Sequence, residues 1–190
     1  EWYMPYLEHF QEATIRYFLD EYGYLPKFVQ YTLAYDLQWR IKQTEVPETL
    51  FSNEEVTAYK EKLINLISMI DDDVWLNQKS LWQEHKLWAL KKKYGHDPEI
   101  VDRFNERFLR FNNTNLYYYT NCQFTIEFIE LREDCCVIEG YTGLHPLESS
   151  SLQIHVEVNG LLQPCQLCFR QNPLTSLGEE VLHYYGFICN

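Results

Sequence analysis

Three consecutive acids, Asp71, Asp72 and Asp73, are the first side chains in this sequence that could do chemistry. Asp71 and Asp73 form a D-x-D pair, whose hard carboxylate oxygens suit a Mg²⁺ or Mn²⁺ ion that bridges a diphosphate. Such a pair ends a strand of an α/β fold, whereas the preceding residues 63–70 have helical periodicity. We therefore interpret the three acids as caps at a junction between helices and predict no metal site there.

The spacing Cys165-x-x-Cys168 is that of half a zinc ribbon. The other half would have to be Cys135-Cys136, which are adjacent and lack the required spacing. Residues three apart on a strand also point to opposite faces, which disfavours shared ligation. We predict no zinc site, and we expect reduced thiols because the cysteine spacings match no disulfide framework. No nucleophile or phosphate-binding motif occurs elsewhere, so no catalytic residue is predicted.

A cluster of aromatic and polar side chains lies near the end of the second predicted helix, at Tyr35, Asp36, Gln38, Trp39 and Arg40. A helix interior does not need an Asp, a Gln and an Arg around a Trp, and two explanations are open. In the first, Arg40 pairs with Asp36 at i, i+4 and Trp39 packs into the core. In the second, these residues form a surface that binds another domain or a ligand, because Trp, Tyr and Arg are typical interface anchors.

The composition excludes one class of partner. The net charge of −12 at pH 7 argues against nucleic-acid binding, which needs clustered Lys and Arg. Residues 117–190 contain only Arg132 and Arg170 as basic residues, against nine acids, so the two parts of the chain differ in character. No apolar run approaches the roughly 20 residues of a membrane-spanning helix. Because the sequence begins with Glu1 rather than Met, we expect the natural start to lie upstream.

Residues 1–115 have the periodicity and the end signals of helices, which predicts a helical bundle. Aromatic and apolar residues recur at helical spacing from Trp2 to Tyr22. The predicted boundaries are Gly23 as the cap of the first helix, Pro26 at the start of the second, a Ser52–Glu55 capping box for the third, and Asp73 and Gly95 around the fourth. Asp97-Pro98-Glu99 has the order of N-cap, proline and acid, which predicts a fifth helix.

From about Leu116 the pattern changes to that of short strands. The predicted strands begin at Tyr117–Tyr119 and continue as 123–131, 135–141, 152–158 and 161–169, with another beginning at Gly186. Asn159-Gly160 predicts a tight hairpin between two of them. The fold class is therefore α+β: a helical subdomain over residues 1–115, followed by an incomplete antiparallel immunoglobulin-like β-sandwich over residues 116–190.

Four stretches carry a resemblance to a known family: YGYLPKFVQYTLAYDLQWR (22–40), MIDDDVWLNQKSLWQEHKLWALKKKYG (69–95), VIEGY (137–141) and SLGEEVLHYYGF (176–187). The chain resembles the region that follows the catalytic domain in bacterial family 2 glycosyltransferases. Those enzymes build capsular or teichoic-acid-like polymers, and some are fused to CDP-glycerol glycerophosphotransferases. The resemblance implies a non-catalytic accessory segment, cytoplasmic and peripheral to the inner face of the membrane.

The resemblance also implies partners and cofactors outside this segment. In such enzymes an N-terminal α/β domain binds a nucleotide-sugar donor with a divalent metal, and none of that domain is present here. The implied partners are this catalytic domain, in the same parent chain, and the polymer acceptor. Gln38-Trp39-Arg40 does not match the Q-x-x-R-W signature of processive sugar polymerases, so no catalytic role is transferred to it.

Two other functions remain open from the sequence. One is a stand-alone carbohydrate-binding or adhesion module, in which aromatic residues of the β part such as Tyr141 and Tyr184 stack on sugar rings. The other is a structural interaction module that binds no ligand. Glycan binding by the chain would distinguish the first from the second.

Overall fold

The structure is a computed structural model that describes residues 3–43, 52–103, 106–112, 114–118, 124–133, 135–144, 153–169 and 172–189. Predictions that fall on Trp2, Tyr119 or Cys122 lie outside these ranges. The chain mixes helices with antiparallel sheets, as predicted for the α+β class. It divides into two compact units, one of residues 1–101, 108–117 and 175–179, and one of residues 102–107, 118–174 and 180–190.

The first three predicted helices are confirmed. Helix α1 (Tyr3–Tyr6), a π-helical segment (Leu7–Glu12) and helix α2 (Ala13–Tyr22) follow one another directly, and they are followed by α3 (Lys27–Ile41) and α4 (Asn53–Ser68). Gly23 has a φ of 73° and its N–H bonds to Leu19, which is the expected left-handed cap. Ser52 and Glu55 form the predicted capping box at the start of α4.

The fourth predicted helix is two helices, α5 (Asp72–Leu76) and α6 (Gln83–Tyr94). Side chains satisfy the backbone where α5 ends: the Asn77 amide donates to the Asp73 carbonyl over 2.7 Å, and Lys86 donates to the Leu76 carbonyl over 2.8 Å. The prediction of a single helix was wrong because the apolar periodicity is similar on both sides of this break. Gly95 caps α6 with a φ of 73°, as predicted.

The fifth predicted helix is wrong. Residues 99–118 form three strands, β1 (Glu99–Arg103), β2 (Glu106–Phe111) and β3 (Thr114–Tyr118), which pair in that order. Pro98 fits the residue before a strand as well as the first turn of a helix, since its fixed φ is compatible with both. Ile100 and Val101 are β-branched and favour the extended chain. The helical part of the sequence therefore ends at Tyr94, before the predicted boundary at residue 115.

A second sheet is formed by strands from later in the chain. Its order is β4 (Phe124–Leu131), β5 (Cys136–Leu144), β10 (Glu179–Cys189) and β8 (Gln166–Phe169), with β9 (Leu174–Ser176) also pairing with β10. Strands β6 (His155–Val158) and β7 (Leu161–Pro164) form the predicted hairpin around Asn159-Gly160. The strand predicted to begin at Gly186 in fact begins seven residues earlier, at Glu179.

The first unit has a core of aliphatic side chains from most of its helices together with buried aromatic residues, of which Trp75 is the largest that is fully buried. Its fully buried members include Leu7, Leu33, Leu37, Ile41, Leu63, Ile67 and Leu87. The indole of Trp75 donates to the Ile67 carbonyl over 3.2 Å, so its only polar group is satisfied. None of the described helices is long and apolar enough to cross a membrane.

Candidate functional site

Helix α3 is apolar on two opposite faces, and only one of them is buried. The buried face consists of Val29, Leu33, Ala34, Leu37 and Ile41, each at most 4% exposed. The opposite face consists of aromatic residues at helical spacing, with exposures of 69% for Phe28, 38% for Tyr31, 60% for Tyr35 and 54% for Trp39. We call these four residues the α3 aromatic face. Phe28 contacts the Phe18 ring edge-to-face at a centroid distance of 6.0 Å, yet most of the area of this row of rings stays exposed, which packing within the unit does not explain.

Tyr35 and Trp39 are the two predicted site residues that lie on the α3 aromatic face. Trp39 does not pack into the core; its ring is exposed, and the Lys42 ammonium lies 5.0 Å from the ring centroid. A cation at this distance is attracted to the electron-rich face of the indole. The arrangement leaves the rest of the ring accessible for contact with a partner.

Asp36 and Arg40 lie beside this face, and both contact the first helical segment, residues 3–12. The Arg40 guanidinium carbon is 5.3 Å from the ring centroid of Tyr3 and 5.4 Å from that of Tyr6. The Asp36 carboxylate instead accepts a hydrogen bond from the Gln11 amide over 2.8 Å. Among the ion pairs of the described residues, none joins Asp36 to Arg40, although their i, i+4 spacing allows one.

The surroundings of Tyr6 change the pKa of its phenol. Burial, followed by the neighbouring Asp36 carboxylate, raises the pKa of Tyr6 above its usual value. Tyr6 thus remains a neutral ring under Arg40 at physiological pH. Asp36 and Arg40 thus join α3 to the first helical segment.

Gln38 is on the buried side of α3 and does not belong to the exposed surface. Its side chain has no solvent exposure, and neither polar atom of its amide has a hydrogen-bond partner among the described residues. An unpaired buried amide costs free energy that a bound water could recover. The structure therefore separates Gln38 from Tyr35 and Trp39, which the sequence had grouped together.

The three consecutive acids Asp71, Asp72 and Asp73 are each bound to basic or polar side chains. Lys27 contacts Asp71, at 2.9 Å, and also Asp73. Asp72 accepts from Lys93 over 2.8 Å and from the Tyr94 hydroxyl over 2.5 Å. These contacts join the start of α5 to α3 and α6, as a helix junction requires. No group of three or more metal-ligating side chains occurs in the described ranges.

Two members of the aromatic face, Phe28 and Tyr31, were not predicted as site residues. The signal was present, since residues 28, 31, 35 and 39 follow the spacing of one helix face. The sequence could not distinguish this face from the core, because Val29, Leu33 and Leu37 have the same periodicity. Only the tertiary structure shows which of the two faces of α3 is exposed and therefore available to a partner.

The chain is similar to the minor teichoic acid biosynthesis protein GgaB of Bacillus subtilis (strain 168), with 26% identity over 191 residues that cover 98% of this chain. The aligned region is 21% of GgaB, so the chain spans about a fifth of the length of this relative. No protein-family model matches the sequence, and no solved structure matches it. The chain is thus similar, along nearly all of its length, to one segment of a much longer teichoic acid biosynthesis protein.

Proposed function

We propose that this chain is a non-catalytic accessory segment of a bacterial glycosyltransferase that builds a teichoic-acid-like or capsular cell-surface polymer. The observation that carries the proposal is the similarity to a teichoic acid biosynthesis protein over 98% of the chain. The match covers only 21% of that relative, which agrees with a segment that works beside other domains. The segment braces the catalytic domain or guides the polymer acceptor.

The proposed parent protein is cytoplasmic and peripheral to the inner face of the membrane. Its catalytic domain, in the same polypeptide, uses a nucleotide-sugar donor and a divalent metal. We also propose that the helices of this segment form a bundle and that the sheet with the order β4-β5-β10-β8 is one layer of an immunoglobulin-like sandwich. The carboxylates of Asp71, Asp72 and Asp73 take no part in donor binding, because lysines and a tyrosine already bind them.

The α3 aromatic face is the proposed docking surface for the catalytic domain. Its four rings lie along about three turns of one helix, a span of roughly 16 Å at the rise of an α-helix. Exposed Trp and Tyr side chains are the residues that most often dominate the binding energy of an interface. Lys42 and Arg40 at the end of the helix supply the polar groups that border an apolar contact of this kind.

Disruption of the gene tests the proposed function in the source organism. We expect the cell wall to lose one teichoic-acid-like or capsular polymer, measured as phosphate and sugar released from purified walls. The wild-type gene should restore the polymer, and a gene lacking the codons for residues 3–189 should not. A wall of unchanged composition after disruption would contradict the proposal.

A second candidate function, a carbohydrate-binding module, rests on Tyr141 and Tyr184. These half-buried rings lie on neighbouring strands β5 and β10 with their centroids 5.9 Å apart in an edge-to-face arrangement. Aromatic rings on one face of a sheet can stack on sugars. Binding of a wall polysaccharide by the chain, lost in Tyr141→Ala and Tyr184→Ala but retained in Trp39→Ala, would favour this module over the accessory segment.

A further inference from the structure

Two cysteines from opposite ends of a 25-residue stretch lie side by side in the second sheet. Strands β8 and β10 pair antiparallel, with Phe169 opposite Tyr185 and Gln166 opposite Ile188. The same register, continued by one residue, places Cys165, which immediately precedes β8, opposite Cys189. The sequence spacing gave no indication of this pairing, because it depends on the register of β8 against β10.

The positions of these two residues satisfy the geometric requirement for a disulfide. Directly opposite residues of an antiparallel pair have Cα atoms roughly 4.5–5.5 Å apart. A disulfide needs a Cα separation of roughly 4.4–6.8 Å, so the backbone need not move to form one. Since Cys165 and Cys189 are opposite each other, their side chains leave the sheet on the same face.

The other cysteines of this unit are less suitably placed. Cys168 is opposite Gly186 and, three residues from Cys165, points to the other face of the sheet. Cys136 lies on β5, two residues from Ile138, which is the β5 residue opposite Cys189, so Cys136 is a diagonal neighbour of Cys189 at roughly 7–8 Å and not its direct partner. Among the cysteines that the structure describes, Cys165 is therefore the one that faces Cys189 across a strand pair.

One of the two thiols is accessible to a small molecule. Cys165 is half-buried and lines an open cleft with His155, Pro164 and Leu167. Cys189 is buried, with 5% of its surface exposed. A reagent in the cleft would reach Cys165 first, and Cys189 would then be positioned to attack the sulfur of Cys165.

We propose that Cys165 and Cys189 form a cross-strand disulfide with a low-molecular-weight disulfide, such as oxidised glutathione, as the oxidant. The Cys165 thiol loses its proton and attacks one sulfur of the reagent, which releases one glutathione thiolate and leaves a mixed disulfide. The Cys189 thiolate then attacks the Cys165 sulfur and releases the second glutathione. The two protein thiols give up two electrons and two protons, and one glutathione disulfide becomes two glutathione thiols.

The environment of Cys165 determines the rate of this reaction. Burial, followed by the neighbouring Cys189, raises the pKa of the Cys165 thiol above its usual value. Because the thiolate is the attacking species, oxidation is slow at neutral pH and accelerates as the pH rises. Cys165 and Cys189 thus stay reduced under reducing conditions, and they form their disulfide on sustained exposure to the low-molecular-weight oxidant.

The disulfide joins the residue immediately before β8 covalently to β10, which pairs with both β5 and β8. The bond restricts the unfolded chain between the two cysteines, so the oxidised protein should unfold at a higher temperature. For a chain of this size the expected increase in Tm is on the order of 5 °C.

Peptide mapping of the full 190-residue chain tests the proposal. The reduced protein is incubated with oxidised glutathione at pH 8, and free thiols are blocked with N-ethylmaleimide before digestion with trypsin. Cleavage after Arg132 and Arg170 puts Cys189 alone on the last peptide and Cys165 on the peptide 133–170. Chymotrypsin cleavage at Leu167 then separates Cys165 from Cys168, so mass spectrometry identifies the partner of Cys189.

We expect a Cys165–Cys189 link in the wild-type chain, the same link in Cys168→Ser, and the increase in Tm in both. Cys165→Ser and Cys165→Ala, with circular dichroism spectra like that of the wild type, should give neither the link nor the increase. A native wild-type chain that forms no link would overturn the proposal. A link from Cys189 to Cys135, Cys136 or Cys168 in the native wild-type chain would overturn it as well.

Discussion

Gln30 and Asp71 exchange two hydrogen bonds: the Gln30 amide donates to the Asp71 carboxylate over 3.0 Å, and its carbonyl accepts from the Asp71 backbone N–H over 2.7 Å. The same amide nitrogen also donates to the Leu25 carbonyl over 2.9 Å. One side chain therefore holds together the chain before α3, the helix itself and the start of α5. Gln30 is 4% exposed, so no solvent replaces these bonds if they are lost.

Replacing Gln30 should destabilise the protein substantially. Gln30→Leu keeps the approximate volume but leaves the Leu25 carbonyl and the Asp71 N–H without their partner, which we expect to cost about 2–4 kcal/mol. Urea unfolding followed by circular dichroism measures the change. The matched control on the same helix is Thr32→Ala, whose exposed hydroxyl bonds only to the Phe28 carbonyl and whose loss should cost less than about 0.5 kcal/mol. Equal losses in the two variants would show that Gln30 does not join these segments.

His85 should make the stability of the protein depend on pH. Burial, with a smaller contribution from Lys42, lowers the pKa of His85 to about 4, and neither ring nitrogen has a hydrogen-bond partner among the described residues. The folded state therefore resists protonation between pH 6.5 and 4, whereas the unfolded state accepts the proton. The free energy of unfolding should fall by up to about 3 kcal/mol as the pH decreases through this interval.

Two variants isolate the contribution of His85 from that of the carboxylates. His85→Gln removes the titrating group, so its stability should fall less steeply between pH 6.5 and 4 than that of the wild type. His9→Gln, at an exposed position, should retain the wild-type slope. Parallel pH profiles for His85→Gln and the wild type would mean that His85 takes up its proton as readily in the folded state as in the unfolded state.

Gly140 lies so close to the backbone of β4 and to the Phe187 ring that a residue with a side chain would not fit. A Cβ atom at this position would lie 2.2 Å from the Thr125 carbonyl oxygen and 2.8 Å from Cζ of Phe187. The backbone oxygen cannot move without disturbing the β4–β5 pairing. Gly140→Ala should therefore cost about 1–3 kcal/mol.

The neighbouring Gly143 supplies the control for this prediction. A Cβ atom there would first meet Cδ2 of Leu182 at 3.0 Å, the end of a flexible side chain that can shift. Gly143→Ala should be the milder substitution in thermal unfolding. If the two alanine variants unfold at the same temperature, the clash at Gly140 is not an important constraint on the sheet.

Local signals allowed much of the fold to be predicted from the sequence. The caps at Gly23 and Gly95, the capping box of Ser52 with Glu55, and the Asn159-Gly160 hairpin depend on a few neighbouring residues, and all are present. Strands β1 to β3 could not be predicted in this way. At Glu99 the local helix signal conflicts with β propensity, and pairing with residues further along the chain decides between them.

The candidate site was predictable only in part, for a similar reason. Tyr35 and Trp39 are exposed, whereas Gln38, from the same short stretch, is fully buried. Both faces of α3 have apolar residues at helical spacing, and the sequence does not show which face contacts the other helices. The partners of Arg40 and Asp36 come from the first helical segment, at Tyr3, Tyr6 and Gln11, and depend on how that segment packs.

The most direct test of the proposed accessory role is to substitute the α3 aromatic face in the parent protein. The variants are Tyr35→Ala with Trp39→Ala, and, as a control of matched exposure, Trp82→Ala, since Trp82 is 55% exposed and lies outside this face. We expect the double variant to reduce polymer synthesis about tenfold and to speed proteolytic release of the segment, while Trp82→Ala leaves both unchanged. Unaltered synthesis and proteolytic protection in the double variant would contradict docking through this face.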